Sequence, residues 1–68
     1  MTELPIAGEN IRLGQFLKLA NVVDSGAEAK ELLAEGAVTV NGDVETRRGR
    51  QLSRGDRVGV RGQEIAVS

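Results

Sequence analysis

The sequence contains no cysteine and no histidine. A disulfide staple, a thiolate nucleophile and a cysteine-based zinc site are therefore out of reach. Without histidine, the commonest general base and the commonest metal ligand are missing too. Tyrosine and tryptophan are absent and Phe16 is the sole aromatic, so no row of rings is available to stack unpaired bases. No apolar run approaches the length that spans a bilayer. The first ten residues carry two acids, one proline and no basic stretch, so no signal peptide is expected and the chain is expected to be cytoplasmic. The nine glycines form neither G-x-x-x-x-G-K-S/T nor G-x-G-x-x-G, which leaves nucleotide binding without a motif. What remains is 68 residues, enough for one domain, read as residues 1–68, with a thin core. No enzymatic activity, cofactor or metal is expected of it.

The formal net charge is only −1, but it is unevenly spread. Residues 1–46 set three bases (Arg12, Lys18, Lys30) against eight acids, a net of −5. Residues 47–68 set six arginines against Asp56 and Glu64, a net of +4. Every base in that second segment is arginine, whose planar fork matches phosphate where lysine offers a point charge. Such asymmetry points to an anionic ligand. A solvated face balanced by the helical acids is the plainer reading of the same charges.

Leu4-Pro5-Ile6-Ala7 reads as a short edge strand, because proline excludes a central one. Gly8-Glu9-Asn10 reads as a turn, with Asn10 placed to cap the helix that follows. Leu13, Phe16, Leu17 and Ala20 recur at helical spacing and form one apolar stripe. Ser25-Gly26-Ala27-Glu28 has capping-box spacing, with Ser25 as N-cap. A second helix then runs to about Glu35, buries Ala29, Leu32 and Leu33, and ends at Gly36. Glu28, Glu31 and Glu35 lie on one flank of it, Lys30 on the other. Acid chemistry at that flank lacks a further donor, and a solvated face accounts for it.

From Ala37 the apolar period changes to two. Val38-Thr39-Val40 and Val44 flank Asn41-Gly42, the strongest two-residue hairpin signal. The return arm is expected to run on into Thr46-Arg47-Arg48-Gly49-Arg50. A turn at Ser53-Arg54-Gly55-Asp56, with Asp56 as side-chain acceptor, leads into Arg57-Val58-Gly59-Val60. Arg61-Gly62 turns again into Gln63-Glu64-Ile65-Ala66-Val67. The expected class is α+β: a two-helix hairpin packed on a small twisted antiparallel sheet of about four to five strands. Leu13, Phe16, Leu17, Leu32, Leu33, Val38, Val40, Val58 and Val60 are expected to share its core.

Arg12-Leu13 with Phe16-Leu17, then Ala29, Leu32 and Leu33, then Glu35-Gly36-Ala37-Val38-Thr39-Val40-Asn41-Gly42, and finally Gly55-Asp56, resemble the S4 RNA-binding domain. The ordered set covers about fifty of the 68 residues. Ser25-Gly26 with Ala29-Lys30, and Val44-Glu45-Thr46-Arg47-Arg48-Gly49-Arg50, are similar to the small stand-alone bacterial S4-like proteins. That resemblance implies the αL-like fold, RNA binding and, in some cases, ribosome assembly. Two positions depart from it. Many S4 domains carry an acid after Arg-Leu, where this chain has Gly14, and Arg after the helix-two Ser, where it has Gly26.

With the resemblance added, the expected ligand is structured RNA, ribosomal RNA or its precursor, bound by a monomer. Arg12, Lys18, Lys30, Arg47, Arg48 and Arg50 are the candidate phosphate contacts. Arg47 and Arg48 would diverge in a regular strand, and Gly49 is expected to bend the chain so that guanidinium groups converge. Asn41 fits a type I′ turn and, being exposed, also lies within reach of a phosphate or 2′-OH. Arg54, Arg57 and Arg61 fit a solvated face better. The competing reading is a protein-interaction adaptor whose arginines meet an acidic partner.

Overall fold

The computed structural model describes residues 2–68. Its apolar layer follows from two kinds of periodic segment facing one another. Helix α1 (Leu13–Leu19) buries Leu13, Phe16 and Leu17, and helix α2 (Gly26–Ala34) buries Ala29, Leu32 and Leu33. Strand β3 (Val38–Val40) turns Val38 and Val40 inward, and β6 (Arg57–Val60) does the same with Val58 and Val60. All nine residues expected in the core are buried. Ile6, Val22, Val23, Leu52, Ile65 and Val67 complete the cluster. Leu52 comes from β5 (Gln51–Ser53), Ile65 and Val67 from β7 (Gln63–Val67).

The boundary signals act as their chemistry requires. The Ser25 hydroxyl accepts from the Glu28 N–H at 3.2 Å, which satisfies one orphan donor at the start of α2. Gly36 follows the helix at φ +74°, the left-handed conformation in which a Cβ is penalised. Asn41 and Gly42 have φ of 53° and 91°, as a type I′ turn demands, and join β3 to β4 (Asp43–Val44). Ser25→Ala is expected to lower stability by about 1 kcal/mol, read as a shift in urea midpoint at constant slope.

The main sheet has five strands in the order β1-β7-β6-β3-β4, where β1 is Thr2–Leu4. It departs from the all-antiparallel expectation at one edge. There β1 runs parallel to β7, pairing Thr2 with Ile65 and Leu4 with Val67. The strand also lies earlier than Leu4–Ala7. Pairing runs on past Leu4, with the Ser68 N–H donating to the Leu4 carbonyl at 3.0 Å and the Ile6 N–H to the Ser68 carbonyl at 2.9 Å. Pro5 sits between them at an edge, where its lack of an N–H is tolerated, and Ile6 is buried.

A second sheet of two strands pairs β2 (Asn10–Arg12) with β5, setting Ile11 opposite Leu52. Asn10 is therefore a strand residue, not a helix cap; its side chain accepts from the Gln51 amide at 3.4 Å. Arg12 occupies the N-cap position of α1 and makes no side-chain cap. The first turn is satisfied from elsewhere. The Leu13 N–H donates to the Arg50 carbonyl at 2.8 Å and the Gly14 N–H to the Arg48 carbonyl at 2.9 Å. This docks the 45–50 loop onto α1. No helix among the described residues is long and apolar enough to cross a membrane.

Candidate nucleic-acid interface

The 45–50 segment does not continue the hairpin arm. Strand β4 ends at Val44, and a turn through Arg48 and Gly49 closes with the Arg50 N–H on the Arg47 carbonyl at 3.2 Å. Glu45 organises this loop. It is the one buried charged residue among those described, at 7% exposure. Its Oε2 accepts from the N–H groups of Thr46 and Arg47 and from Arg47 Nε, each at 3.1 Å. Its Oε1 accepts from Arg47 Nη2 at 3.3 Å and Arg50 Nη1 at 3.0 Å. A buried carboxylate needs such donors, because stripping it of water without them is costly.

The bend near Gly49 does bring guanidinium groups together, but around an internal acid. Arg47 and Arg50 are ion-paired to Glu45, and their charge is in part spent. Hydrogen bonds from the Arg47 side chain, then from the Arg47 backbone, then from Arg50, hold the Glu45 carboxyl down to about 2. The same pairing raises the Arg47 pKa. Because the folded-state pKa lies below the ordinary 4.5, Glu45 stabilises the fold above that pH and loses its contribution as pH falls from 4.5 towards about 2. Urea midpoints at about pH 6 and about pH 3 are expected to fall more for the parent than for Glu45→Gln, whose side chain does not titrate.

Arg48 takes the opposite course. Its backbone rests on Gly14, where an added Cβ would stand 3.2 Å from Arg48 Cβ. Its Nη1 reaches to 3.7 Å from the Cβ position of Gly26, at the start of α2. The two glycines that depart from the S4 pattern are therefore the two that Arg48 lies across. A guanidinium delivered by the loop stands beside the place where many S4 domains have their own arginine.

Around it opens a groove of about 350 Å³, lined by Arg12, Gly14, Gln15 and Lys18, by Gly26 and Ala29 of α2, and by Arg48 and Gly49. Gly14, Gln15 and Lys18 share one side of α1 by their three- and four-residue spacing, opposite the buried stripe. Three cations thus meet from three elements: the end of β2, the outer side of α1 and the loop. None of the three has a side-chain partner among the described residues. Lys30 lies outside the lining, one turn along α2 from Gly26 and on the same side. Gln15 is a groove residue that charge-based reading passed over; its spacing from Lys18 was the available signal.

Asn41, Asp56, Arg54 and Arg61 make side-chain hydrogen bonds within the fold. Asn41 donates to Asp56 Oδ1 at 3.1 Å and accepts from the Arg57 N–H at 3.0 Å, tying the β3–β4 turn to the next one. Asp56 Oδ2 accepts from the Ser53 N–H at 2.8 Å, which lowers its pKa and makes it the turn acceptor its position suggested. Arg54 Nη2 donates to the Ile6 carbonyl at 3.2 Å and Arg61 Nη1 to the Val22 carbonyl at 2.9 Å. Among the described residues, Arg57 alone of those three arginines has a side chain without a partner. No cluster of metal-ligating side chains occurs among them.

Two helices laid on a mixed sheet, with a basic groove where a loop meets both helices, define a small helix-pair-on-sheet module. The S4 domain profile matches residues 4–68, and the chain belongs to that family. It is 51% identical over 59 residues to the "Probable ribosome maturation protein RlbA" of Bacillus subtilis (strain 168), covering 87% of this chain and 83% of that one. It is 40% identical over 58 residues to YbcJ of Escherichia coli (strain K12), covering 85% of this chain and 83% of that one. The solution structure of YbcJ, described as revealing a motif involved in RNA binding, superposes with a TM-score of 0.72 at 35% identity, covering 98% of this chain and 86% of that chain. The crystal structure of 30S ribosomal protein S4e from Thermoplasma acidophilum shares the fold at a TM-score of 0.62 and 22% identity, over 85% of this chain and 31% of that one.

Proposed function

We propose that this chain is a non-catalytic RNA-binding module of the cytoplasm, acting as a monomer on structured RNA, with ribosomal RNA or its precursor as the target. The observation that carries the reading is the convergence of Arg12, Lys18 and Arg48, all unpaired, on one groove. A patch without aromatics suits an RNA helix or a folded junction. Such RNA presents phosphates and 2′-hydroxyls across a shallow minor groove, and these need cations and polar groups rather than stacking rings. Gln15, able to donate and accept, is the groove side chain fitted to a 2′-hydroxyl. Lys30 extends the cationic side along α2. Arg47 and Arg50 add a weaker, Glu45-damped field at the loop, and Asn41 stands apart on the hairpin turn. The B. subtilis and E. coli relatives, by what their names and structure describe, support the same direction.

Crosslinking the protein in cells to total RNA and sequencing the recovered fragments tests the target. Reads concentrated in ribosomal RNA or its precursor are the expected result. Filter retention of purified structured RNA tests binding itself, with affinity expected to fall steeply as salt rises. If naked RNA is not retained even at low salt, the arginine surface serves an acidic protein partner instead.

A further inference from the structure

The loop that brings Arg48 to the groove begins with a buried acid, which ordinary electrostatics would count against RNA binding. We propose that Glu45 is the positioning residue of the groove: it fixes the 45–50 loop so that Arg48 lies across Gly14 and Gly26, beside Arg12 and Lys18. The inference rests on the RNA-binding reading and assigns a role to a residue outside the groove lining.

The geometry supplies each link. The Glu45 N–H donates to the Val38 carbonyl at 3.0 Å, which anchors the start of the loop to the main sheet. The carboxylate then accepts from both of the next two backbone N–H groups and from the guanidinium groups of Arg47 and Arg50. Both flanks of Arg48 are thereby pinned to one buried group. The carbonyls of Arg48 and Arg50 are held in turn by the Gly14 and Leu13 N–H groups of α1. Arg48 is thus the arginine of the run whose side chain is left free, with its backbone fixed from both sides. Preorganisation of this kind spares a flexible arginine the entropy of being ordered on binding. Gly14 is part of the device, since a Cβ there would stand 3.2 Å from Arg48 Cβ and 3.5 Å from its carbonyl oxygen.

The proposal and simple charge counting differ in sign. Glu45→Gln removes a negative charge and frees two arginines, so net charge alone requires tighter RNA binding. Positioning requires weaker binding, by the contribution of the Arg48 contact. One phosphate contact contributes about 0.7–0.9 logarithmic units at 0.1 M salt, so the expected loss is about five- to eightfold, with the salt slope flattened by somewhat under one unit. The test is a double-substitution cycle on the full chain, binding a structured RNA that the parent retains: parent, Glu45→Gln, Arg48→Gln and the pair.

Glu45→Gln weakening binding in the parent, with no further loss in the Arg48→Gln background, supports the role. A merely structural role would lower affinity equally in both backgrounds without changing the slope, and that result overturns the proposal. So does binding by Glu45→Gln that matches or exceeds the parent. Glu45→Asp keeps the charge but falls one methylene short of its partners. It is expected to weaken binding at unchanged net charge, and parental affinity for it overturns the proposal even if Glu45→Gln fails to fold. Failure of the parent itself to retain RNA defeats the RNA reading, and is distinguishable because no variant is needed to see it.

Discussion

Phe16→Ala is expected to leave the chain largely unfolded near room temperature. Phe16 is the sole aromatic and is fully buried in the core cluster. Truncating a buried phenylalanine to alanine costs about 3–5 kcal/mol, through lost transfer energy and the cavity left behind. A domain of this length has about 3–10 kcal/mol to lose, and its small size places it at the lower end. No disulfide or metal site among the described residues offsets the loss. Far-ultraviolet circular dichroism against temperature checks the result. A variant that melts within a few degrees of the parent would mean that the ring lies outside the structural centre of the core.

The combined substitution of Arg12, Lys18 and Arg48 by glutamine is expected to abolish most RNA affinity and leave the fold intact. These side chains have no partners among the described residues, so removing them breaks no internal bond, and solvent-facing changes of this kind stay within about 0.5 kcal/mol. Their effect on RNA is larger. Each phosphate contact is expected to contribute about 0.7–0.9 logarithmic units at 0.1 M salt, so three together amount to about 100- to 500-fold. The loss is expected to be similar for RNAs of different sequence, because phosphate contacts carry no base information. Equilibrium binding of two unrelated structured RNAs, with circular dichroism as the folding control, provides the check. Loss confined to one of them would place a base contact in the groove.

What the sequence disclosed, and what it concealed, divides by the range of the interaction. Ser25, Gly36 and Asn41-Gly42 each act on neighbours within a few residues, so their chemistry could be read without knowing the fold. The apolar stripes of α1 and α2 were legible for the same reason. The β1–β7 pair was not: a parallel pair has no turn of its own, and these strands lie at opposite ends of the chain. Asn10 had the right type for a cap, but the α1 donors took the Leu13 and Gly14 bonds to a loop more than thirty residues away.

The site follows the same division. Arg12, Lys18 and Arg48 were visible as cations, but their meeting depends on β2 and the loop flanking α1, which no periodicity announces. Arg47 and Arg50 read as free because the sequence alone assigned Glu45 no role. Its burial goes with the end of the strand at Val44. Its placement two and five residues before those arginines was the signal available. Gly14 and Gly26, which read as losses from the S4 pattern, are the space that Arg48 uses.

The central claim is that a localised groove, not net charge, binds RNA, and one paired comparison tests it directly. Arg48→Gln and Arg57→Gln each remove one unpaired arginine and change net charge equally, but only Arg48 lines the groove. The measurement is the salt dependence of affinity for a structured RNA. With Arg12, Lys18, Arg48 and Lys30 engaging about four phosphates, the parent slope is expected near −3 to −3.5. Arg48→Gln is expected to flatten it by somewhat under one unit and to weaken binding about five- to eightfold at 0.1 M salt, with Arg57→Gln close to the parent in both respects. Equal loss from the two substitutions would contradict the account, leaving net charge as the determinant and no groove to speak of.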